Sequence, residues 1–383
     1  MRRSFFHRIE TRRVATRSSG ADKLGFQSAK IRADTRAATC HVPILAAIYG
    51  ALFLTGCSQN ALQNTATTST RSNQVVMYCS VDEVYARPIL RALEQKTGLV
   101  IRPLFDVEAS KTAGLASRIR AERNSPRADV FWSSATLQTL LLSREGLLEK
   151  FSVSGNKTSA FWYGNDWIAT GVRARVIVYN AAEKQPPRAL DDLLLPRFKN
   201  KIGISNPLFG TGSDWSAALA TRRGHDNTLD YFRRLKANGA KVLPGNSVVA
   251  ERVGRGELLA GVTDTDDFLA LQKQFPDLRI SLPTNENLPN DLVFIPMTAA
   301  ILKGAPHLQN AQKLMNAFSS PEIEAQIVKA MPGVLPLRAG WNDVPSAIAP
   351  LKIELKNSRD DTDKWTSNWQ KLRDPLAEML LRD

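Results

Sequence analysis

Apolar residues recur in turn at strand spacing and at helix spacing along the chain from residue 74 onward. Residues 75–81 and 99–105 are short apolar runs, which predict buried strands. Between them, residues 83–97 carry apolar side chains at helical spacing, and Gly98 is a typical helix end. The alternation continues with a helix at 112–123, a strand at 129–132 and a helix at 135–144. This order predicts a parallel sheet with right-handed crossovers.

A second α/β series begins at residue 201, after a long apolar run at 168–179. Its predicted strands are 201–205, 241–243, 260–263 and 278–282, and its predicted helices are 213–221, 228–238, 248–255 and 267–274. A strong strand at 292–302 follows, and then helices at 309–318, 321–330 and 363–381. Because two strands separate the series, we expect an α/β fold of two lobes between which the chain crosses at least twice. A cleft between such lobes can bind a ligand and close by a hinge motion.

The residues before position 74 have the composition of an export signal. An uncharged, mostly apolar run at 42–54 is too short to span a bilayer and is typical of a signal-peptide core. It ends in Leu-Thr-Gly-Cys, which resembles a bacterial lipobox, so Cys57 is expected to carry lipid and to become the mature N-terminus. The expected organisation is a leader at 1–57, a polar tether at 58–73, lobe 1 at 74–170, lobe 2 at 171–291, and a return to lobe 1 with C-terminal helices at 292–383.

Composition and charge narrow the class of protein. The 383 residues are 43% hydrophobic and 23% charged, which is ordinary for a folded soluble protein, and no apolar run reaches the length of a membrane span. The net charge of +14 suggests nucleic acid, but residues 1–56 hold 10 basic and 3 acidic residues and so account for half of the excess. We therefore expect no nucleic-acid partner. The three cysteines and four scattered histidines predict neither a disulfide framework nor a zinc site.

Eight segments together resemble periplasmic solute-binding proteins of the ferric-iron ABC importer type, within the family 1-like extracellular binding proteins. They are 76–90 (VMYCSVDEVYARPIL), 105–115 (FDVEASKTAGL), 128–133 (ADVFWS), 199–212 (KNKIGISNPLFGTG), 245–250 (GNSVVA), 261–267 (GVTDTDD), 294–298 (FIPMT) and 303–307 (KGAPH). The resemblance covers about residues 74–340. It implies a type II-like two-lobed fold, a lipid-anchored location in the periplasm or cell envelope, and an ABC permease of the inner membrane as partner.

Three predicted helix starts are candidates for binding an anion, since the first turn of a helix presents unpaired N–H groups and a positive dipole end. An ordinary N-cap is the alternative for each of them. The candidate residues are Ser110, Lys111, Thr112, Thr211, Gly212, Ser213, Asn246 and Ser247.

An acidic cluster, Asp264, Asp266 and Asp267, follows a predicted strand and is expected at the cleft. Its carboxylates suit a hard cation or an amine, with Asp264 and Asp266 as candidate metal ligands, although Asp266 can instead cap the next helix. The resemblance implies a tyrosine pair at this position in the best-known iron binders, where this chain has aspartates. Further cleft candidates are Tyr78, Asp106 and Glu108, and Arg173 and Arg175 of the hinge strand can pair with acids or with ligand.

The expected function is the substrate-binding component of an ABC importer that captures ferric iron or an iron–anion complex by hinge closure. An aminoalkyl phosphonate or another small anion is the alternative ligand. We expect no enzymatic activity and no cofactor other than Fe(III) as transported cargo. The Asp264-Thr265-Asp266 sequence also resembles the nucleophile motif of haloacid-dehalogenase-type phosphotransferases, which is a remote alternative, and a lipid-anchored interaction protein without a small ligand is a third.

Overall fold

The computed structural model describes residues 73–106, 112–153, 165–283, 291–338, 344–357 and 361–381. The predicted leader, the tether up to residue 72, and the candidate residues Cys57, Glu108, Ser110 and Lys111 lie outside these ranges. Within them, no helix has both the length and the apolar composition that crossing a membrane requires.

The first α/β series forms as the apolar pattern predicts. It consists of β1 (Gln74–Cys79), α1 (Glu83–Thr97), β2 (Val100–Phe105), α2 (Ala113–Ala121), β3 (Val130–Ser133) and α3 (Leu137–Arg144). Strand β1 pairs in parallel with both β2 and β3. Helix α1 ends at Gly98, whose φ of 67° lies in the left-handed region that glycine adopts without strain. The carboxyl ends of these parallel strands therefore meet at one edge, where ligands bind in open α/β sheets.

The second series forms the other half of the sheet. It consists of β5 (Ile202–Ser205), α4 (Gly210–Arg223), α5 (His225–Ala237), β6 (Lys241–Leu243), α6 (Asn246–Gly254), β7 (Ala260–Asp264), α7 (Thr265–Gln272) and β8 (Leu278–Ser281). Strand β5 is parallel to β6 and β7. Helix α4 begins three residues before its predicted start at 213, which brings Thr211 and Gly212 into its first turn.

Strands β4 (Trp167–Asn180) and β9 (Phe294–Ile301) connect the two series. The first half of β4 pairs antiparallel with β9, which also pairs with β3, and from Arg175 onward β4 pairs with β7. Among the described residues, neighbouring strands are hydrogen-bonded in the order β2-β1-β3-β9-β4-β7-β5-β6, and β8 pairs with β4. The predicted crossing strands at 168–179 and 292–302 are confirmed, whereas the residue limits of the lobes stay a prediction.

The remaining helices pack against both series. They are α8 (Leu308–Phe318), α9 (Pro321–Ala330), α10 (Leu351–Asn357) and α11 (Trp365–Leu381). Helices α8 and α9 pack on α1, and their apolar side chains join a core with Met77 and Ile89 of the first series. Helix α11 packs mainly on α4 and α5, where Trp365 and Trp215 are both fully buried. The C-terminal helix therefore stabilises the second series.

A buried carboxylate joins the two series. The backbone N–H groups of Thr136 and Leu137, at the start of α3, donate to the Asp214 carboxylate of α4 at 2.8 and 2.9 Å. Asp214 is fully buried. Burial raises the pKa of this carboxyl to about 7, against the lowering effect of the two N–H donors, while the Asp264 charge adds to the rise and Arg173 opposes it.

We expect Asp214 to make the protein less stable as pH rises. Between its ordinary pKa of about 3.9 and the raised value of about 7, the folded state holds a proton that the unfolded chain has lost, so the free energy of unfolding falls with pH across this window. Chemical denaturation at intervals from pH 5 to pH 8 measures this fall. Asp214→Asn should flatten the curve over the same interval, and an equally steep curve in the variant would contradict the assignment.

Candidate functional site

A cavity of about 360 Å³ lies where both series and β4 meet, a size that suits a small ligand. The first series contributes Val81, Asp82, Tyr85 and Ser134 to its wall, and β4 contributes Arg173. The second series contributes Ser205, Asn206, Phe209, Gly210, Thr211, Gly212, Pro244, Gly245, Asn246, Ser247, Asp266, Asp267, Ala270 and Leu271, and Met331 completes the wall.

Helices α4 and α6 both begin at this cavity. Their N-cap residues are Phe209 and Gly245, so at neither helix does a side chain of the N-cap residue accept a hydrogen bond from the first turn. At Gly212 a Cβ atom would lie 2.2 Å from the carbonyl oxygen of Asn206, so only glycine allows the first turn of α4 to fold this tightly. Two helix N-termini thus face one cavity without the side chains that usually satisfy their N–H groups, an arrangement that favours a bound anion.

The candidate residues at the starts of α4 and α6 therefore lie in first turns and not at caps, whereas Thr112 occupies the N-cap position of α2. Thr211, Gly212, Asn246 and Ser247 line the cavity, whereas Ser213 does not and donates its hydroxyl to the Gly210 carbonyl at 2.7 Å. Their ordinary N-cap interpretation is wrong, because the chain enters both helices one or two residues earlier than the hydroxyl and amide side chains suggest.

Arg173 is the one cationic side chain among the described residues of the cavity wall. It is only 7% exposed, its Nη1 lies 2.8 Å from Asp266 Oδ2, and its Nε has no hydrogen-bond partner. Burial lowers the pKa of this guanidinium, but the carboxylates of Asp266 and Asp264 outweigh burial, and the net pKa is raised. Arg173 therefore stays charged, lines the cavity, and keeps a buried Nε donor that no protein group uses. We call Arg173 and the first turns of α4 and α6 the anion site.

Asp266 and Asp267 lie in the first turn of α7 and line the cavity. Burial raises the pKa of Asp266 against the opposing effect of Arg173, and its Oδ1 has no hydrogen-bond partner. One carboxylate oxygen from each of Asp264, Asp266 and Asp267 lies within 4.8 Å of the others, a spacing that a metal ion can bridge. Asp266 and Asp267 are thus placed to receive the positive part of a ligand.

Asp264 lies beneath the cavity and not in its wall. It is fully buried, and its carboxylate accepts hydrogen bonds from Arg175 Nη1 at 2.9 Å, Thr211 Oγ1 at 2.6 Å and Asn246 Nδ2 at 2.8 Å. The expectation that Arg173 and Arg175 pair with acids is confirmed for both. Because its oxygens are occupied by protein donors, Asp264 is placed to support the site and not to contact a ligand.

Three candidates of the first series lie away from the cavity. Tyr78 donates its hydroxyl to Glu122 at 2.7 Å, and burial with this bond raises its pKa to about 12. Asp106 accepts from the backbone N–H of Leu115, and Thr112 is fully buried and donates to Ser80. None of the three lines the cavity in the described part of the chain. The side chain of Tyr78 is directed towards α2, where Arg118 lies over its ring and Glu122 accepts its hydroxyl.

None of the four first-series residues of the wall was predicted. Of these, Asp82 lies in the short connection between β1 and α1, and Tyr85 lies in the first turn of that helix. The signal that could have found them is their position at the carboxyl end of a parallel strand. The carboxylates of Asp266, Asp82 and Asp267 all act, after burial, to raise the pKa of Tyr85. Acidic groups from both series therefore face each other across the cavity.

Comparison with known proteins gives one family and several relatives. Residues 89–353 match the family described as bacterial extracellular solute-binding protein. A Salmonella typhi protein, named provisionally as a 2-aminoethylphosphonate-binding periplasmic protein, is 26% identical over 297 residues, 76% of this chain and 84% of that protein. The major ferric iron-binding protein of Neisseria meningitidis is 25% identical over 258 residues, 65% of this chain and 76% of that protein.

Solved structures confirm the expected two-lobed α/β fold. Iron-bound HitA from Pseudomonas aeruginosa matches with a TM-score of 0.69 at 24% identity, over 79% of this chain and 99% of that chain. AfuA from Actinobacillus pleuropneumoniae, with exogenous fructose-6-phosphate bound, matches with a TM-score of 0.67 at 22% identity, over 81% of this chain and 99% of that chain.

Proposed function

Because this chain belongs to the bacterial extracellular solute-binding proteins, we propose that it is the substrate-binding component of an ABC importer and captures a small, anion-bearing ligand in the cavity. The observation that carries the proposal is the anion site: Arg173 is buried and keeps an unpaired Nε, beside two helix starts that have no side-chain caps. The ligand would bridge both series, so that binding closes the cleft by a hinge motion. Delivery to an inner-membrane permease then follows as the role of the family.

Ferric iron carried with an anion is the ligand that the relatives support. Relatives named as ferric iron-binding proteins cover most of the fold, and Asp266 and Asp267 offer the hard oxygen donors that such an ion prefers. Of the two tentative metal ligands, Asp264 is held by three protein donors, so Asp266 is the better placed. The anion of the complex would occupy the anion site. Iron here is cargo and not a resident cofactor.

An aminoalkyl phosphonate is the second candidate, and a specific contact favours it. Arg173 lies against Asp266, so the cavity presents a cation and a carboxylate side by side. A ligand with both charges, such as 2-aminoethylphosphonate, can place its phosphonate on the anion site and its ammonium on Asp266 and Asp267. A relative bears the name of that ligand. A bare metal ion would instead have to approach the Arg173 charge.

The site does not support the phosphotransferase alternative. In a phosphotransferase of that type the nucleophile would be Asp264, which is fully buried and hydrogen-bonded to Arg175, Thr211 and Asn246. A nucleophilic carboxylate must reach the phosphorus atom of its substrate. We therefore propose a binding protein without enzymatic activity. A Mg²⁺-dependent phosphatase assay on the purified protein should detect no activity.

Titration calorimetry and thermal melting test the proposed function. The probes are Fe(III)–citrate, 2-aminoethylphosphonate, ethylphosphonate and inorganic phosphate, each added to protein that has been unfolded, dialysed and refolded to remove bound ligand. Free ligand at about 100 times its dissociation constant should stabilise the protein by roughly 2.7 kcal/mol. At least one probe should bind. Absence of binding across all four probes would contradict the proposal and favour an interaction protein.

We further propose that the protein is held at the periplasmic face of a membrane by lipid on Cys57. The lipobox-like Leu-Thr-Gly-Cys sequence and the polar segment after it support this proposal. Cys57→Ser should move the protein from the membrane fraction to the soluble fraction, or leave it uncleaved, as judged by fractionation and intact mass. Cys40→Ser is the matched control and should change neither. An unchanged mass and membrane association in Cys57→Ser would contradict the proposal.

A further inference from the structure

Arg175 and Asp264 form a buried polar network directly beneath the anion site. Arg175 lies in β4 and is paired across the strands with Asp264 at the end of β7. Its Nη1 donates to Asn246 Oδ1 at 2.8 Å and to Thr211 Oγ1 at 3.2 Å, and its Nη2 donates to Ser205 Oγ at 2.6 Å. One ion pair therefore connects β4, β7, the end of β5, and the first turns of α4 and α6.

The network uses the side-chain polar atoms of both helix starts. The Thr211 hydroxyl donates to Asp264 and accepts from Arg175, while the Asn246 amide donates to Asp264 and accepts from Arg175. The two side chains also contact each other, since Asn246 Nδ2 donates to Thr211 Oγ1 at 2.8 Å. Beside the Ser247 hydroxyl, these turns offer a ligand their backbone N–H groups, which are held at a separation that the network determines.

The geometry points to Arg175 and Asp264 as positioning residues, which hold the first turns of α4 and α6 together so that both present N–H groups to one oxyanion. This inference rests on the proposed function, because it assumes that the anion binds at the anion site. It differs from the expectation that Asp264 contacts the positive part of a ligand. The two roles predict different responses to probes with and without an amine.

Asp264→Asn keeps the shape of the side chain and removes its charge, which loosens the network. A positioning role predicts that the affinities for 2-aminoethylphosphonate and for ethylphosphonate both fall, by the same factor of at least about tenfold, as for residues that orient metal ligands. A direct contact with the ammonium predicts a loss for 2-aminoethylphosphonate alone, which would overturn the inference. Unchanged affinities for both probes would overturn it as well.

Thr211→Val provides a second variant in case Asp264→Asn does not fold. It deletes the hydroxyl and leaves the backbone N–H group of residue 211 in place, so an equal loss for both phosphonates is again expected. Thr221→Val is the matched control, because Thr221 lies near the other end of α4 and donates to the Ala217 carbonyl. The control should keep the affinities of the wild type.

Amide hydrogen exchange tests the positioning role without any ligand. In Thr211→Val, peptides covering 206–216 and 245–253 should both exchange faster than in the wild type, while a peptide covering α8 should be unchanged. A change confined to α4 would overturn the inference, since it would show that the two turns are not coupled. If the wild-type protein binds neither phosphonate, the proposed ligand fails, and the exchange measurement still decides the positioning role.

Discussion

Replacing Arg173 with methionine should weaken the binding of 2-aminoethylphosphonate by about a hundredfold or more. Arg173 is buried, it is the one cation among the described residues of the cavity wall, and its Nε has no partner within the protein. Its removal deletes the charge-assisted contact to the phosphonate and leaves the Asp266 carboxylate to repel the anion. Removing one partner of a buried charge pair costs about 2–5 kcal/mol, and a hundredfold change corresponds to roughly 2.8 kcal/mol.

Titration calorimetry of Arg173→Met beside the wild type measures this loss. Arg118→Met is the matched control, because Arg118 lies on α2, pairs with Glu122 at 2.9 Å and covers the Tyr78 ring away from the cavity. The control should bind as the wild type does. A dissociation constant for Arg173→Met within threefold of the wild type would mean that the anion does not bind at Arg173, and would remove the main support for the anion site.

The same variant tests whether iron binds with or without an anion. A metal ion coordinated by Asp266 and Asp267 alone is repelled by the neighbouring guanidinium, so its retention should be equal or better after Arg173→Met. An iron–anion complex, like a zwitterionic phosphonate, needs the guanidinium for its anion and should be lost. Metal content after loading with Fe(III)–citrate and desalting, measured alongside the phosphonate titration, distinguishes the bare ion from the complex by the sign of the change.

The strands and helices of this protein were largely predictable, because their signals are local. The apolar run at 168–179 became β4 (Trp167–Asn180), and Gly98 ends α1 as its position suggests. The start of α4 is predicted at residue 213, three residues later than in the structure, and Gly210 and Gly212 are residues that disfavour helix. The structure shows that Gly212 lets the first turn pack against the Asn206 carbonyl, a contact that only the folded chain reveals.

The roles of the aspartates were less predictable, because they depend on partners far away in sequence. Asp264 and Asp266 are two positions apart, yet β7 ends between them. Asp264 pairs with Arg175, which is 89 positions away, whereas Asp266 turns with α7 towards the cavity. No local pattern distinguishes a carboxylate that binds a ligand from one that supports the site. Asp264→Asn is therefore expected to lower folding stability as well as affinity, since it leaves the buried Arg175 without its counter-charge.

Asp266→Asn should lower the affinity for 2-aminoethylphosphonate by about tenfold to a hundredfold, while the affinity for ethylphosphonate should stay the same or rise. The substitution keeps shape and removes one charge, and a charge-assisted contact contributes about 1.5–3 kcal/mol. The ammonium of 2-aminoethylphosphonate loses its charged acceptor, so this probe binds more weakly. Ethylphosphonate has no such contact, and Arg173 becomes more available to it once the 2.8 Å pair with Asp266 is neutralised.

Folding stability should fall less in this variant than in Asp264→Asn, since Arg173 keeps Asp264 as a second counter-charge at 3.9 Å and the Asp266 side chain is 17% exposed. Calorimetric titration with both probes and a thermal melt of the empty protein provide the measurements. Asp230→Asn is the matched control, because Asp230 is exposed on α5, pairs with Arg233, and does not line the cavity. An equal loss for both phosphonates in Asp266→Asn would mean that this carboxylate supports the anion site without contacting the ammonium. An unchanged affinity for both would mean that Asp266 has no part in binding and only begins a helix.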